Sequence, residues 1–321
     1  MKRVHVEKDC KFKYGNYNRY YGYRNENTDV DKRISLLQKD WFEGKSCLDI
    51  GCNVGHITLY IAKFFEPKQI KGVDIDFNLI KAARANILHY IDNKNSESRK
   101  VKKSNEPNES NQKNSKINQI ENESLIINGE QLNCCCFEKK DEQLLQLHED
   151  VTKCKHDKNS SSNCIHNGNG NVQAEHLKRE KKFPYNVTFI TENFVPSSEN
   201  LLKYTKEEYD IIICLSVTKW VQLNSGDEGL KLMFHKIFKL LNPGGKLLLE
   251  PQPYKSYKRR KNLSTEIRNN YDNIKLKPED YINFLMSEVG FTSFTQLDTL
   301  KHDKQGFERP VYLLTKASTV L

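Results

Sequence analysis

The sequence predicts an α/β fold built on a mostly parallel sheet with helices on both faces. Short apolar runs alternate with segments of helical periodicity along most of the 321 residues, and this alternation is typical of a doubly wound sheet. A glycine-containing turn, 51–55, joins the first strand to the first helix, where such folds bind a ligand. The chain ends with a helix followed by two adjacent strands, which predicts a hairpin and therefore one strand antiparallel to the rest.

Each element is identified by its period and its boundaries. Seven runs have the short apolar character of strands, and they span 46–51, 69–75, 186–191, 209–217, 246–252, 291–300 and 310–317. Four segments have apolar residues at helical spacing, and they span 56–65, 77–91, 227–241 and 278–290. The third of these helices has acidic residues in its first turn and is predicted to end at the turn sequence "NPGG", 242–245.

Residues 92–182 differ in composition from the rest of the chain. They hold 15 Asn, 31 charged residues and a single aromatic residue in 91 positions, too little apolar surface to offset the entropy of ordering. We therefore predict an N-terminal arm, 1–45, that contributes to ligand binding, and a folded domain in two parts, 46–91 and 183–317. A disordered low-complexity insertion, 92–182, separates the two parts. Its scattered His and Cys match no zinc-site spacing, so no metal is predicted.

The folded part carries most of the basic excess. The net charge is +9, of which +1 falls in 92–182 and +8 in the remainder, and this indicates either an anionic partner or a solvated basic surface. Nine cysteines, three of them consecutive, do not resemble a disulfide framework and indicate a reducing compartment. The first residues lack the apolar core of a signal peptide, and no run approaches the ~20 apolar residues that cross a bilayer. We expect a nuclear or cytoplasmic protein without a membrane contact.

The turn "LDIGCNVGH" is the strongest ligand-binding signal. Gly51 and Gly55 permit a sharp turn and close approach of a ligand, but Asn53 replaces the middle glycine of the dinucleotide fingerprint, which argues against NAD. The form D-x-G-x-x-x-G, beginning at Asp49, is used for S-adenosylmethionine in Rossmann-like methyltransferases. Asp74 ends the second strand, where an acidic side chain accepts ribose hydroxyls. A strand-end or helix-capping aspartate is the alternative.

Lys219 and Trp220 follow the fourth strand on a predicted loop, at the sheet edge where the acceptor of a transferred group must lie. The alternative is a solvated lysine beside a tryptophan packed on the sheet. Two segments combine cations with aromatic rings, a composition that suits nucleic acid because cations meet phosphate and rings stack on bases. They are "FKYGNYNRYYGYR", 12–24, which also fits a lid, and "EPQPYKSYKRRK", 250–261, which also fits a nuclear-localisation signal.

The stretches "YGNYNRYYGYRN", "LDIGCNVGH", "LSVTKWVQLNSGDEGL", "NPGGKLLLEPQPY" and "GFERPVYL" together resemble the RNA 5′-phosphate methyltransferases of the bicoid-interacting type. The resemblance covers 12–91 and 183–317. It implies a Rossmann-like methyltransferase fold with a mostly parallel seven-stranded sheet and one antiparallel strand. It also implies S-adenosylmethionine as cofactor, the 5′ end of a small nuclear RNA as substrate, a La-related RNA-binding protein as a further partner, and a nuclear monomer.

The resemblance, together with the segments above, assigns roles to individual residues. The predicted cofactor-binding residues are Tyr21, Arg33, Asp49, Gly51, Cys52, Asn53, Gly55, Asp74, Ile75, Asn193, Phe194 and Leu215. The predicted RNA-binding residues are Tyr20, Arg24, Lys219, Tyr254, Lys255, Lys258, Arg259, Phe307 and Arg309. The predicted catalytic residues are Lys219 and Trp220. The family pattern has histidine and tryptophan where this chain has Gln222 and Ser225, which predicts a changed contact near the acceptor.

The resemblance implies methyl transfer to the γ-phosphate of a 5′-triphosphate. A terminal phosphate has a second pKa of about 6, so the acceptor oxygen is anionic at pH 7 and needs no general base. The main task of the protein is then to hold that oxygen in line with the methyl–sulfonium bond, with Lys219 on the phosphate and Trp220 shaping the wall. The alternatives are methylation of a 5′-monophosphate on small RNA and a non-catalytic RNA-binding scaffold with the same fold.

Overall fold

A seven-stranded sheet organises the structure. The computed structural model describes residues 12–17, 20–25, 30–92, 182–302 and 306–318. The strands are β1 (Ser46–Ile50), β2 (Gln69–Asp74), β3 (Val187–Thr191), β4 (Tyr209–Leu215), β5 (Leu241–Glu250), β6 (Ser293–Leu297) and β7 (Val311–Thr315). Their order across the sheet is β3-β2-β1-β4-β5-β7-β6. β7 runs antiparallel to both of its neighbours and the other pairs are parallel, which confirms the predicted Rossmann-like fold with one antiparallel strand.

The central strands are apolar along their length because both faces of the sheet are covered. In β4, Ile211 and Ile213 pack into a cluster on one face, together with residues of the first helices. Ile212 and Cys214 point the other way and pack into a second cluster, as the two-residue period of a strand requires. A strand that is buried on both faces consists of a continuous apolar run, which is why "YDIIICL" could be predicted as a strand from the sequence.

The helices flank this sheet. They are α1 (Tyr20–Arg24), α2 (His56–Tyr60), α3 (Phe77–Asp92), α4 (Thr218–Leu240), α5 (Thr265–Asp272) and α6 (Tyr281–Phe284). Two helices continue into a wider π turn, at Ile61–Phe65 and Leu285–Val289. Short 3₁₀ turns occur at Lys32–Leu36, Lys39–Trp41, Glu199–Tyr204, Tyr254–Ser256 and Pro278–Asp280.

Helix α4 corrects the sequence-based prediction. It begins at Thr218 instead of 227, and Gly226 interrupts it with φ 66° and ψ −170°, a conformation that glycine adopts readily. The segment predicted as the whole helix is therefore only its second part. Lys219 and Trp220 consequently lie in the first turn of a helix and not on a loop. The "NPGG" sequence, predicted as a turn, is included in β5.

The carboxyl ends of the parallel strands meet at one edge of the sheet. β1 ends at Ile50, β2 at Asp74, β4 at Leu215 and β5 at Glu250, and the last two are paired with each other. The chain that follows each of these ends therefore enters the same region. This edge is where open α/β sheets bind ligands.

Some sequence-based predictions concern residues that the structure leaves undescribed. The insertion predicted at 92–182 lies outside the described residues except at its two ends, and its character and boundaries remain predictions. None of the helices in the described ranges is long and apolar enough to cross a membrane. In the same ranges, no group of three or more His, Cys, Asp or Glu side chains could hold a metal ion.

Candidate active site

The turn after β1 has a left-handed backbone at three positions. The angle φ is 70° at Gly51, 54° at Asn53 and 81° at Gly55. A Cβ on Gly51 would lie 2.4 Å from Cγ2 of Val217, and a Cβ on Gly55 would lie 2.8 Å from Cζ of Phe189. Neither position therefore accepts a larger residue without displacement. The glycine turn is pressed against the chain that follows β4 on one side and against β3 on the other.

Asp74, at the end of β2, holds the glycine turn in place. Its Oδ2 accepts a hydrogen bond from the backbone N–H of Asn53, and its Oδ1 accepts one from the N–H of Asp76, both at 3.0 Å. Burial raises the pKa of this carboxyl, although these two hydrogen bonds oppose the rise. Each carboxylate oxygen keeps a lone pair for a further donor. The capping contact therefore leaves the predicted contact with ribose hydroxyls open.

Asp49 and Cys52 are buried beneath the turn. Asp49 is 5% exposed, and its Oδ2 accepts a hydrogen bond from Oγ1 of Thr58 at 2.6 Å. Burial raises the pKa of Asp49 to about 7, against the opposing effects of Thr58 and Arg33. Cys52 is 1% exposed, and its Sγ contacts the carbonyl of the next residue at 3.7 Å. The described contacts of both side chains are to protein, and their role toward a cofactor remains a prediction.

Residues 12–17, the strap, lie across the glycine turn. Nδ2 of Asn53 donates to the carbonyl of Tyr17 at 3.1 Å, and Nδ2 of Asn16 donates to Oδ2 of Asp76 at 2.5 Å. The Oδ1 atoms of Asn53 and Asn16 are buried and accept no hydrogen bond from the described residues. Buried polar atoms without partners cost free energy. A polar ligand bound between strap and turn would remove that cost, so the residues present fit a cofactor such as S-adenosylmethionine.

The strap also packs on Trp220. A Cβ on Gly15 would lie 2.1 Å from Cε2 of Trp220, so the backbone of the strap rests directly on the indole. The ring of Tyr17 meets the indole edge-on with 5.9 Å between centroids, and the guanidinium of Arg260 lies 5.3 Å from the Tyr17 ring centre. Trp220 is therefore a wall between the glycine turn and the basic segment. The strap residues Asn16 and Tyr17 were absent from the sequence-based set of site residues.

Four further residues of the predicted cofactor-binding set are placed differently from one another. Ile75 is half-buried after β2, and Leu215 is buried at the end of β4. Asn193 is exposed, and its Oδ1 accepts a hydrogen bond from the backbone N–H two residues later at 3.2 Å. Phe194 packs in the core, with the ammonium of Lys236 only 4.1 Å from its ring centre. Ile75 and Leu215 thus lie at the strand-end edge, whereas Phe194 faces the interior.

A buried ion cluster joins the N-terminal arm to the end of β5. Glu250 is fully buried, and its carboxylate accepts from Nη2 of Arg24 at 3.0 Å and from Nη1 of Arg33 at 2.7 Å. Asp31 accepts two hydrogen bonds from the guanidinium of Arg33, at 3.0 and 2.9 Å. Burial alone would raise the pKa of Asp31, but Arg33 and Arg24 lower it to about 2. The pKa of Glu250 is lowered for the same reason against its burial, so both acids remain ionised.

Ser216, which follows β4, connects this cluster to the C-terminal part of the chain. Its Oγ accepts hydrogen bonds from the hydroxyl of Tyr20 and from Nη1 of Arg309, and donates to Oε2 of Glu250, each at 2.9 Å. Its φ is 65°, in the left-handed region. Ser216 was expected near the transferred methyl because it follows the fourth strand, whereas Glu250 was not among the predicted site residues, since nothing local in the sequence marks it.

Aromatic rings complete this end of the site. The guanidiniums of Arg24 and Arg309 each lie 5.2 Å from the ring centre of Phe307. Tyr21 is 9% exposed, and its ring meets that of His56 edge-on at 4.7 Å. The structure therefore brings together the predicted RNA-binding residues Arg24, Phe307 and Arg309, although they are far apart in sequence.

Lys219 is buried, and among the described residues it has no acidic partner. It is 9% exposed, and its Nζ lies 3.5 Å from Oγ of Ser256 and 4.6 Å from the centre of the neighbouring indole ring. No carboxylate in the described ranges pairs with it. Burial lowers its pKa to about 7, and the charges of Arg309, Arg260 and Arg259 add to the effect. The alternative of a solvated surface lysine is therefore wrong, and the ammonium lies where an anion would stabilise it.

An exposed basic surface continues from this lysine. Lys255, Lys258 and Arg259 are exposed, and beside them the ring of Tyr254 stacks on that of Tyr271 with 5.8 Å between centroids and 7° between planes. The turn that carries Tyr254 also provides the hydroxyl nearest to the buried lysine. The exposed cations therefore adjoin the candidate acceptor position.

The side chain at position 222 does not face the acceptor. Gln222 is fully buried, and its Nε2 donates to Oδ1 of Asp227 at 2.7 Å and to the carbonyl of Leu276 at 2.6 Å. Its Oε1 accepts a hydrogen bond from the hydroxyl of Tyr281 at 2.7 Å. The prediction that Gln222 changes a contact near the acceptor is therefore wrong. Ser225, the other departure from the family pattern, is exposed.

Comparison with known proteins gives one family. Residues 209–316 match the family model of Bicoid-interacting protein 3 (Bin3). The chain is 38% identical over 316 residues to the 7SK snRNA methylphosphate capping enzyme of Mus musculus, with 97% of this chain and 42% of that protein aligned. The corresponding human enzyme is 39% identical over 312 residues, with 96% of this chain and 40% of that protein aligned. The chain thus spans about two fifths of the length of these relatives.

Two further relatives differ in how much of their length is matched. The RNA 5′-monophosphate methyltransferase of Mus musculus is 36% identical over 94 residues, covering 27% of this chain and 32% of that protein. The U6 snRNA methylphosphate capping enzyme Amus of Drosophila melanogaster is 33% identical over 326 residues, covering 98% of this chain and 81% of that protein. On these matches, the chain belongs to the Bicoid-interacting protein 3 family.

Proposed function

We propose that this protein methylates the γ-phosphate at the 5′ end of a small nuclear RNA. The observation that carries the proposal is the environment of Lys219, a buried ammonium near Arg309 and Arg260 with no carboxylate partner in the described ranges. An arriving polyanion stabilises each of these cations, so the site favours a ligand with several negative charges. The similarity to snRNA methylphosphate capping enzymes supports an RNA 5′ end as that ligand.

The cofactor site lies at the β1–β2 end of the strand edge. S-adenosylmethionine supplies a methyl group on a sulfonium, which is already electrophilic. Asp74 would accept hydrogen bonds from the ribose hydroxyls, and Oδ1 of Asn53, which accepts none from the described residues, would accept one from a polar group of the ligand. Gly51 and Gly55 allow the ligand to approach the backbone. The further proposed contacts are Tyr21, Arg33, Asp49, Cys52, Ile75, Asn193, Phe194 and Leu215.

The acceptor phosphate is held at the β4–β5 end. Lys219 and Arg309 bind the terminal phosphate, and Trp220 forms the wall that keeps it in line and excludes water. No side chain removes a proton from the acceptor, because a terminal phosphate with a second pKa of about 6 is already anionic at pH 7. Positioning and charge stabilisation therefore account for the catalysis. Tyr20, Arg24 and Phe307 contact the first part of the RNA.

The remainder of the bound RNA lies over the exposed basic surface. Lys255, Lys258 and Arg259 contact backbone phosphates, and the ring of Tyr254 offers a face on which a base stacks. These contacts are not sequence-specific. We further propose that the protein acts as a nuclear monomer and meets its RNA together with a La-related RNA-binding protein.

Two alternative functions differ in how well the observations support them. A 5′-monophosphate acceptor is favoured by the 94-residue match to the RNA 5′-monophosphate methyltransferase. A non-catalytic RNA-binding scaffold would have no use for a complete cofactor site, and Asp74 and the glycine turn are both retained.

The test is methyl transfer from labelled S-adenosylmethionine to one RNA prepared with a 5′-triphosphate, a 5′-monophosphate or a 5′-hydroxyl. We expect label on the triphosphate RNA, and removal of the 5′ phosphates by a pyrophosphatase should release it. Label confined to the monophosphate RNA would establish the first alternative. RNA binding without S-adenosylmethionine binding and without transfer to any of the three would establish the scaffold.

A further inference from the structure

Ser216 is the point where separate parts of the chain meet. A serine hydroxyl has one proton to donate and two lone pairs. The proton goes to Oε2 of Glu250, and the lone pairs receive the hydroxyl of Tyr20 and Nη1 of Arg309. The hydrogen-bonding capacity of Ser216 is thus fully used within the protein. The hydroxyl therefore connects other groups and has no capacity left for a substrate.

These bonds form part of a closed ring. Nη1 of Arg24 donates to the hydroxyl of Tyr20 at 3.1 Å, and Nη2 of the same guanidinium donates to Oε1 of Glu250 at 3.0 Å. The ring passes through Arg24, Tyr20, Ser216 and Glu250 and returns to Arg24. Hydrogen bonds in such a buried chain polarise and orient one another. Glu250 has no exposed surface and Arg24 only 5%, whereas Tyr20 and Ser216 are half-buried, so the charged side of the ring is shielded from solvent.

The backbone at Ser216 shows that the side chain is needed there. With φ at 65°, the residue has a conformation that costs free energy for serine and almost none for glycine. Its carbonyl also accepts a hydrogen bond from Nε2 of Gln252. Oε1 of Gln252 in turn accepts from the backbone N–H of Lys219 at 3.1 Å. The turn at Ser216 is thereby linked to the first turn of α4, which carries the buried lysine.

We propose that Ser216 and Glu250 are positioning residues for the methyl transfer. They fix Tyr20, Arg24 and Arg309, which come from the N-terminal arm and the C-terminal part of the chain, in one arrangement at the acceptor end, and they do not touch the phosphate. This inference rests on the proposed function. It requires that loss of the connection lowers turnover more than it lowers cofactor affinity, since alignment of the acceptor is a property of the bound complex.

The decisive variant is Ser216→Gly. Glycine adopts the left-handed backbone without cost, so the relief of strain should offset part of the stability that is lost with the three hydrogen bonds of the connecting hydroxyl. We expect turnover at saturating S-adenosylmethionine and triphosphate RNA to fall at least tenfold, with the affinity for S-adenosylhomocysteine unchanged. Ser216→Ala, which keeps the backbone strain, should lose turnover to the same extent. Wild-type turnover in Ser216→Gly would overturn the proposal.

Glu250→Gln gives a second measurement. It keeps the shape of the side chain but removes the charge that Arg24 and Arg33 share, and it should also lose turnover at least tenfold. The matched control is Asp210→Asn at the opposite end of β4, where a half-buried carboxylate accepts from the N–H of Ser46 at 2.8 Å and from Nδ2 of Asn242 at 2.9 Å. The control should lose stability but keep its turnover. Equal loss of turnover in both would reduce Glu250 to a structural role and overturn its part of the proposal.

The two proposals fail in different ways. If the wild-type protein transfers methyl to no RNA 5′ end, the proposed function is wrong and the positioning role is wrong with it. If the wild type is active and Ser216→Gly is equally active, the positioning role alone is wrong.

Discussion

The two ends of the strand edge use buried carboxylates for opposite purposes. At the β1–β2 end, Asp49 and Asp74 are bonded to neutral donors, a hydroxyl and backbone N–H groups, and burial raises the pKa of both. At the β4–β5 end, Glu250 accepts from guanidiniums, and its pKa is lowered despite complete burial. The charge of the partner therefore decides the outcome. At the β1–β2 end the carboxylates accept from neutral groups, as they would from the cofactor in the proposed function. At the β4–β5 end the carboxylate of Glu250 holds arginines in place.

The largest effect should come from changing Lys219, which pairs with no carboxylate in the described ranges. Lys219→Ala should lower turnover at saturating RNA by ~10²-fold or more, the scale for removing one preorganised charge-stabilising group. Cofactor affinity should not change, because the acceptor end alone is altered. Turnover by methyl transfer and affinity by calorimetry measure the two quantities separately.

Two further variants sharpen that test. Lys219→Arg should also be impaired, because a planar guanidinium does not replace a compact ammonium in a buried site. The matched control is Lys231→Ala on the same helix, a surface lysine that pairs with Glu228 at 2.8 Å, and its turnover should be normal. Normal turnover of Lys219→Ala at saturating RNA would exclude the role proposed for this residue.

The second largest effect should be on cofactor affinity, at the β1–β2 end. Asp74→Ala should weaken S-adenosylmethionine binding by about 1.5–3 kcal/mol, the contribution of hydrogen bonds to a charged acceptor. RNA affinity should be nearly unchanged. Asp74→Asn, which keeps one acceptor oxygen, should fall between the wild type and Ala. An unchanged calorimetric affinity in the Ala variant would remove Asp74 from the cofactor site.

The pH dependence of kcat/KM for RNA should test the acceptor end alone, because it depends on the charge of Lys219. The pKa of Lys219 is lowered to about 7, so the free enzyme carries this charge below about pH 7 and loses it above. We expect kcat/KM for RNA to rise through about pH 6 as the phosphate ionises and to fall, by up to tenfold per pH unit, above about pH 7. Lys219→Met should lack the alkaline fall. A fall of the same shape in both proteins would assign it to another group.

The same shift has a consequence for stability, with a defined sign. Between about pH 7 and the ordinary lysine value of 10.5, the unfolded chain binds more protons at Lys219 than the folded protein does. The free energy of unfolding of the wild type should therefore increase with pH in this window relative to Lys219→Met. Urea unfolding at several pH values measures the difference.

The smallest effect should come from the exposed basic surface. Replacing Lys255, Lys258 and Arg259 by Ala should reduce the dependence of log affinity on log salt by about 0.7 for each lost phosphate contact with single-stranded RNA. Turnover at saturating RNA should stay normal, because these side chains do not hold the reacting phosphate. A salt dependence equal to that of the wild type would place the RNA elsewhere.

The sequence predicted those parts of the molecule whose signals are local. The strands were identified from apolar runs, and the glycine turn with Asp74 from spacing alone. The start of α4 was misplaced because Gly226, followed by Asp227, resembles a helix start, and only the packing of the first part shows that the helix extends to Thr218. The connecting roles of Ser216 and Glu250 were missed because they depend on Tyr20, Arg24 and Arg33, which are 196 to 226 residues away in the chain.

The strap contacts both ends of the site, which has a consequence for how the two ligands affect each other's affinity. One short segment is bonded to Asn53 at the cofactor end and rests on Trp220 at the acceptor end. If a ligand at one end changes the affinity for the ligand at the other end, the second ligand changes the affinity for the first by the same factor, because coupling between two binding equilibria is reciprocal. The affinity for S-adenosylhomocysteine, measured with and without a saturating triphosphate oligonucleotide, therefore also gives the contribution of the cofactor to RNA affinity.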